Sequence, residues 1–158
     1  MAKAPIAKDE KLIVKNRRAL FDYEIEERFE AGLVLVGSEV KSMRAGKVDV
    51  SDAYAAVERG EAWLKQMFVA PFEHASAFPH EPRRARKLLL HPREIDEIHR
   101  ALARDGYAVV PLRLYFKHGR AKVELAIAKG KKKFDKRADI AKRTAEREAR
   151  AAIRARSR

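Results

Sequence analysis

Phe21, Tyr23, Ile25 and Phe29 stand among Asp22, Glu24, Glu26, Arg28 and Glu30, a period-two alternation that predicts a strand with one solvated face. Gly32 interrupts it, and Leu33-Val34-Leu35-Val36 predicts a buried strand paired with the first. Ser38 is placed to cap a short helix over Glu39 to Arg44, ended by Gly46. The apolar-rich runs 53–57 and 62–69, split by Glu58-Arg59-Gly60-Glu61, predict a hairpin with Gly60 in its turn. From Ala70 to Arg86 the prolines at 71, 79 and 82 predict a surface loop. Lys87-Leu88-Leu89-Leu90 leads into Pro92, a favourable helix start, and Ile95, Ile98 and Leu102 share one helical face until Gly106. Two further strands follow, over 107–116 and 121–128, around Lys117-His118-Gly119-Arg120; Val123, Leu125 and Ile127 point inward, Lys122 and Glu124 outward.

About six strands, mostly hairpin-connected, with one short and one longer helix predict a mainly β domain over residues 11–128. A closed antiparallel β-barrel of the oligonucleotide-binding (OB) type suits this pattern, because closure removes exposed edges. Residues 129–158 differ: they carry thirteen Lys/Arg against four Asp/Glu and supply +9 of the chain's +13 formal charge. Their large apolar residues are Phe134, Ile140 and Ile153, too few to offset chain entropy by burial. The tail is therefore expected to be mobile when free. Asp139/Arg143 and Glu146/Arg150 at i,i+4 favour a helix once a partner orders it.

A sequence pI near 10.2 favours polyphosphate partners, since each phosphate neutralised releases condensed counterions. Charge alone leaves DNA, RNA and anionic membrane open. The N-terminus has no apolar signal region and no eighteen apolar residues run together, so a soluble, unsecreted protein without a membrane span is expected. The absence of cysteine excludes disulfides and thiolate metal sites and fits a reducing cytoplasm. Histidines 74, 80, 91, 99 and 118 are scattered, and no metal or other cofactor is expected.

Glu39-Val40-Lys41, with Asp49 and Asp52 nearby, loosely matches the acid-x-Lys pattern of Mg²⁺-dependent nucleases. A solvated helix face is the plainer reading. Arg83-Arg84-Ala85-Arg86-Lys87 and Lys129 to Lys133 are dense enough to predict phosphate contact. Phe134, alone among charges, either docks on the barrel or stacks on a base. Asn16, just before the first predicted strand, is a turn or cap residue, or its amide reads a base edge or ribose hydroxyl.

Asn16-Arg17-Arg18-Ala19, Phe29-Glu30-Ala31-Gly32, Gly37-Ser38-Glu39-Val40-Lys41-Ser42, Arg86-Lys87-Leu88-Leu89-Leu90 and Lys129-Gly130-Lys131-Lys132-Lys133-Phe134-Asp135-Lys136-Arg137 occur in this order. Together they resemble the bacterial SsrA-binding protein family, or small protein B, from about Lys11 to the C-terminus. The resemblance implies an OB-type barrel that is not an enzyme. It implies binding to the tRNA-like domain of transfer-messenger RNA, delivery with elongation factor Tu and GTP, and entry into stalled 70S ribosomes for trans-translation. By motif it implies RNA-binding roles for Asn16, Glu30 and Leu89, and for Lys41 and Arg44; Arg17 and, from the dense basic runs, Arg86, Lys87, Lys129, Lys131 and Lys132 complete the expected RNA-binding set. Lys133, Phe134, Asp135, Lys136 and Arg137 match the segment that acts in the decoding centre, against 16S rRNA. Phe134 stands where the family often has His or Tyr, which removes a hydrogen bond and keeps stacking. From Ala138 the remaining 21 residues, at ~1.5 Å each, would reach roughly 30 Å along an empty mRNA channel. A monomer is expected. The competing classes are the nuclease using Glu39 and Lys41, and a structural ribosomal or nucleoid protein held by charge.

Overall fold

The computed structural model describes residues 10–71, 80–131 and 133–156, with backbone alone for 133–139 and 156. Seven strands form one antiparallel sheet in the order β1-β8-β9-β2-β7-β5-β4, and two short strands, β3 and β6, pair separately. The elements are β1 (Glu10–Lys15), α1 (Arg17–Asp22), β2 (Tyr23–Leu33), α2 (Gly37–Arg44), β3 (Val48–Asp49), β4 (Tyr54–Glu58), β5 (Glu61–Lys65), β6 (Phe68–Val69), β7 (Arg86–Leu89), α3 (Pro92–Leu102), β8 (Tyr107–Lys117), β9 (Arg120–Gly130) and α4 (Lys133–Arg156).

The mainly β class with short helices holds, but the barrel does not close by hydrogen bonds. β1 and β4 remain the sheet's two edges. The sheet curls until β4 packs against β8, and α3 touches both strands. Ile98 and Ala101 of α3 are buried there. The interior gathers Phe29, Ala31, Leu64, Leu88, Val109, Leu114, Val123 and Leu125 into one core.

Several local expectations change. Phe21 belongs to α1, and β2 runs unbroken from Tyr23 through Gly32 to Leu33, so Leu33 to Val36 is no separate strand. Gly32 does not break β2; it pairs with Leu89 on one side and Lys122 on the other. A Cβ there would lie 3.2 Å from Leu89 Cβ, which is why glycine suits the position. The triad Leu12-Ile13-Val14 forms the unpredicted edge strand β1, and Arg86 to Leu89 is strand β7 between β2 and β5 rather than loop and helix approach. The two hairpins stand as expected. Arg59 and Gly60 (φ 52° and 76°) join β4 to β5, and His118 and Gly119 (φ 50° and 76°) join β8 to β9. Most of the proline-containing loop, residues 72–79, lies outside the described residues.

Pro111 sits inside β8 at a bulge between Pro111 and Arg113, beyond the last β1 pair, Lys15 with Arg113. Asn16 takes over where β1 ends: its backbone N–H donates to Leu112 O and its side-chain amide to Pro111 O.

Candidate nucleic-acid interface

One face of the β8-β9-β2 region carries the chemistry, and strand register decides which residues meet on it. α1 covers one end of this face, where Val110, Leu112, Ala126 and Ala128 pack with Ala19. Towards the other end the same face bears Arg28 and Glu30 of β2, Lys122 and Glu124 of β9, and Arg113, Tyr115 and Lys117 of β8. Glu30 lies directly across from Glu124. Two carboxylates so placed repel, and the sheet offsets this with cations. Arg28 Nη1 and Arg113 Nε bind the two oxygens of Glu124 at 3.1 and 2.9 Å. Glu30 accepts the phenol hydrogen of Tyr115 on one oxygen, and Lys117 Nζ lies 3.6 Å from the other. Lys117 also faces Glu10 of β1 at 3.8 Å. The Tyr115 hydrogen bond, aided by Lys117 and Lys122, outweighs partial burial and holds the Glu30 carboxyl below its ordinary 4.5. Burial, and next the Glu30 carboxylate, push the Tyr115 phenol well above its ordinary value. It stays a donor at all working pH.

From Glu30 the surface opens into a groove lined by Gly32, Lys87, Leu89, His91, Glu94 and Lys122. Leu89 is 54% exposed, an apolar side chain standing in a groove with two lysines and the carboxylates of Glu30, Glu61 and Glu94 on its walls. Such a mixture can pack a base, accept its amino hydrogens and neutralise its phosphate.

Of the expected site residues, Glu30, Lys87 and Leu89 therefore meet in one groove. Lys87 also lies 3.4 Å from Glu61. Arg17 is exposed on the first turn of α1. Lys41 and Arg44 are exposed on α2, with the Arg44 guanidinium 5.7 Å from the Phe116 ring centroid. Lys129 is exposed at the end of β9, and Lys131 is half-buried. Lys132 and the side chains of Lys133, Phe134, Asp135, Lys136 and Arg137 lie outside the described residues.

Two of the expected residues are buried. Arg86 is 0% exposed, its guanidinium engaged inside the protein. Its Nε donates to Glu39, and its terminal nitrogens to the carbonyls of Met67, Pro82 and Arg84. Asn16 is buried: its oxygen accepts from Ala19 N–H at 3.1 Å, capping α1, and its amide donates to Val50 O and Pro111 O. With each polar function used internally, it serves as the cap of α1.

The dense run 83–87 is largely consumed in the same way. Arg84 binds Glu39 at 2.6 Å, and Arg83 Nη1 reaches Gln66 O at 3.3 Å. Glu39, candidate metal ligand of the nuclease reading, is 0% exposed and receives Arg84, Arg86 and the N–H of Val36. Burial alone would raise its carboxyl, but the Arg84, Val36 and Arg86 interactions prevail and hold it below 4.5. Glu39 is therefore no solvated helix face, and both of its oxygens are engaged inside the protein. Ser38, expected to cap α2, instead hydrogen-bonds His80 Nδ1 at 2.8 Å, while His80 Nε2 meets Val69 O at 3.0 Å. The carbonyl can only accept, so Nε2 carries hydrogen, and in the neutral ring Nδ1 accepts from Ser38.

Beyond Gly130 the chain enters α4. Lys131 N–H donates to Asp22 O, and the Arg143 guanidinium lies 5.0 Å from the centre of the Phe21 ring, so α4 leans on α1.

A family model described as SmpB protein matches residues 13–155, which takes in both the sheet and α4. The chain belongs to the SmpB family. The SsrA-binding protein of Desulforudis audaxviator is 55% identical over 148 residues, 94% of each chain. That of Carboxydothermus hydrogenoformans is 51% identical over 147 residues, 93% of this chain and 99% of the relative. A solved chain from work on tmRNA-SmpB and the center of the bacterial ribosome superposes with a TM-score of 0.65 at 48% identity, covering 76% of this chain and 85% of that one. Tyr115, Lys117, Lys122 and Glu124 were not among the expected site residues of this SmpB-family chain. The outward alternation of Lys122 and Glu124 was the available signal; the position of Tyr115 beside Glu30, 85 residues away, was not.

Proposed function

We propose that this protein is an RNA-binding ribosome-rescue factor: it binds the tRNA-like domain of transfer-messenger RNA and brings it to stalled 70S ribosomes for trans-translation. The observation that carries this is family membership spanning sheet and tail alike, residues 13–155. The sheet domain is the recognition module. Glu30, Leu89, Lys87 and Lys122 form its base-contacting groove, and Arg17, Lys41, Arg44, Lys129, Lys131 and Lys132 supply flanking charge for phosphates. Its curled sheet acts as an open form of the OB-type surface. The tail works later: Lys133 to Arg137 engage the decoding centre and 16S rRNA, and the rest of α4 lies in the vacant mRNA channel. A monomeric cytoplasmic protein, delivered with elongation factor Tu and GTP and without catalysis of its own, fits these roles.

The test is a paired titration at physiological salt of the full chain and a version ending at Lys131, against the tRNA-like domain and a size-matched control RNA. Both forms should prefer the tRNA-like RNA. Preference that disappears with the tail, or equal affinity for both RNAs, would reduce binding to bulk electrostatics and refute the reading.

A further inference from the structure

Tyr115 breaks the usual economy of an exposed sheet face. It is 1% exposed although it lies on the side that carries Arg113, Lys117, Lys122 and Glu124, and its ring is covered by the Arg113 guanidinium 4.7 Å from the centroid. Arg113 is in turn fixed by Glu124, which Arg28 clamps from the neighbouring strand. The phenol thus has a locked ring and one visible task, its hydrogen bond to Glu30. A pair of carboxylates facing each other across β2 and β9 is retained at this spot, with three cations and a phenol arranged around it. Arrangements that local rules disfavour are expected where a site needs them.

We propose that Tyr115 is the positioning residue of the RNA groove: by donating its O–H to Glu30 Oε2 it holds that carboxylate with its free lone pairs towards the groove, where they accept from the amino or imino N–H of a base. This rests on the rescue-factor reading for the identity of the RNA and for Glu30's place in the base-contacting groove. A carboxylate on a strand has freedom about three side-chain bonds, and Lys117 alone, a flexible point charge shared with Glu10, cannot define its orientation. The phenol can. The groups facing Glu30 are Glu10 of β1, Arg113, Tyr115 and Lys117 of β8, Lys122 and Glu124 of β9, and Arg28 of its own strand; Glu61, Lys87, His91 and Glu94 stand on the groove's far side. With cations in the majority near the carboxylate, only the phenol supplies direction rather than charge.

Tyr115→Phe removes one oxygen and leaves the ring beneath Arg113. In the full chain its affinity for the tRNA-like RNA should fall about tenfold, the loss typical of one hydrogen bond to a charged group. In a Glu30→Gln background the same change should add less than twofold, because the orientation it secured is gone. Glu30, followed by side-chain NMR, should titrate below 4.5 in the parent and move upward in Tyr115→Phe, carrying the acid limb of RNA binding to higher pH. Equal affinity of Tyr115→Phe and parent, or a full second loss in the Glu30→Gln background, would overturn the proposal while leaving the rescue reading intact. So would a Glu30 carboxyl at its ordinary value in the parent, a measurement that needs no variant to fold. A parent that does not prefer the tRNA-like RNA would instead remove the reading beneath it.

Discussion

Replacing Arg86 by alanine takes a guanidinium with no solvent exposure out of a pair whose carboxylate, Glu39, has none either. Four donor–acceptor links go with it, to Glu39 and to the carbonyls of Met67, Pro82 and Arg84. Glu39 keeps Arg84 and the Val36 N–H, so its charge is not wholly abandoned, but the buried Met67 carbonyl and the part-buried Arg84 carbonyl lose a donor, while Pro82 O keeps the Val69 N–H. Breaking a buried pair from one side costs about 3–5 kcal/mol, a large part of the roughly 5–15 kcal/mol that holds a domain folded. At a few degrees per kcal/mol, thermal unfolding monitored by circular dichroism should fall by roughly 10–15 °C. RNA affinity, measured well below the new midpoint, should stay within about twofold of the parent, because Arg86 touches no solvent. The double variant Glu39→Leu/Arg86→Met removes the stranded charge and should recover about half of the lost stability. A melting point within about 2 °C of the parent together with a sharp loss of RNA affinity would refute the reasoning and return Arg86 to the surface role that its neighbours in the sequence suggest.

Gly32→Ala places a methyl 3.2 Å from Leu89 Cβ and 3.3 Å from its Cδ1, so the β2–β7 contact must spread; about 1–2 kcal/mol of stability and several-fold of RNA affinity should be lost together, by denaturant titration and RNA titration of the same sample. Glu30 and Glu39 both have carboxyls held below 4.5, so the unfolded chain binds their protons more readily: their contribution is complete above about pH 4.5 and is lost as pH falls through the lower folded values. A melting temperature flat from pH 7 to 5 and falling below 4.5 is the expected curve, and a decline already at pH 6 would contradict it.

What could be read from the chain followed the range of each signal. Hairpins β4–β5 and β8–β9 and helix α3 were legible because their marks are local: glycines with positive φ in the turns, Pro92 at a helix start, Gly106 beyond its end. Asn16 was legible as a cap, yet the six-residue α1 behind it was hidden, since Phe21, Tyr23 and Ile25 continue the strand alternation backwards into the helix. β7 was obscured by its company, four residues between a proline-containing stretch and Pro92, and became a strand only by filling the place between β2 and β5. Long-range pairing misled most. Arg86 in a basic run looks like a phosphate contact until Glu39, 47 positions earlier, is found against it. Glu30 and Leu89, by contrast, entered through motif resemblance, and the register that brings them together around Gly32 gives that resemblance a physical meaning.

β9 is bonded on both sides, to β8 and to β2, along nearly its whole length, and both ends of it matter. Lys122 lines the groove, while Gly130 is pinned to Gly106 O and the next residue to Asp22 O, where α4 departs. Eight strand residues at ~3.3 Å apiece set these points roughly 26 Å apart. A strand locked from both flanks neither stretches nor swivels, so it works as a gauge bar: whatever nucleic acid is seated in the groove, the tail is launched from a measured distance and a set bearing. In the proposed role, a tail seeking a small target on a very large particle gains more from that calibrated offset than from added charge.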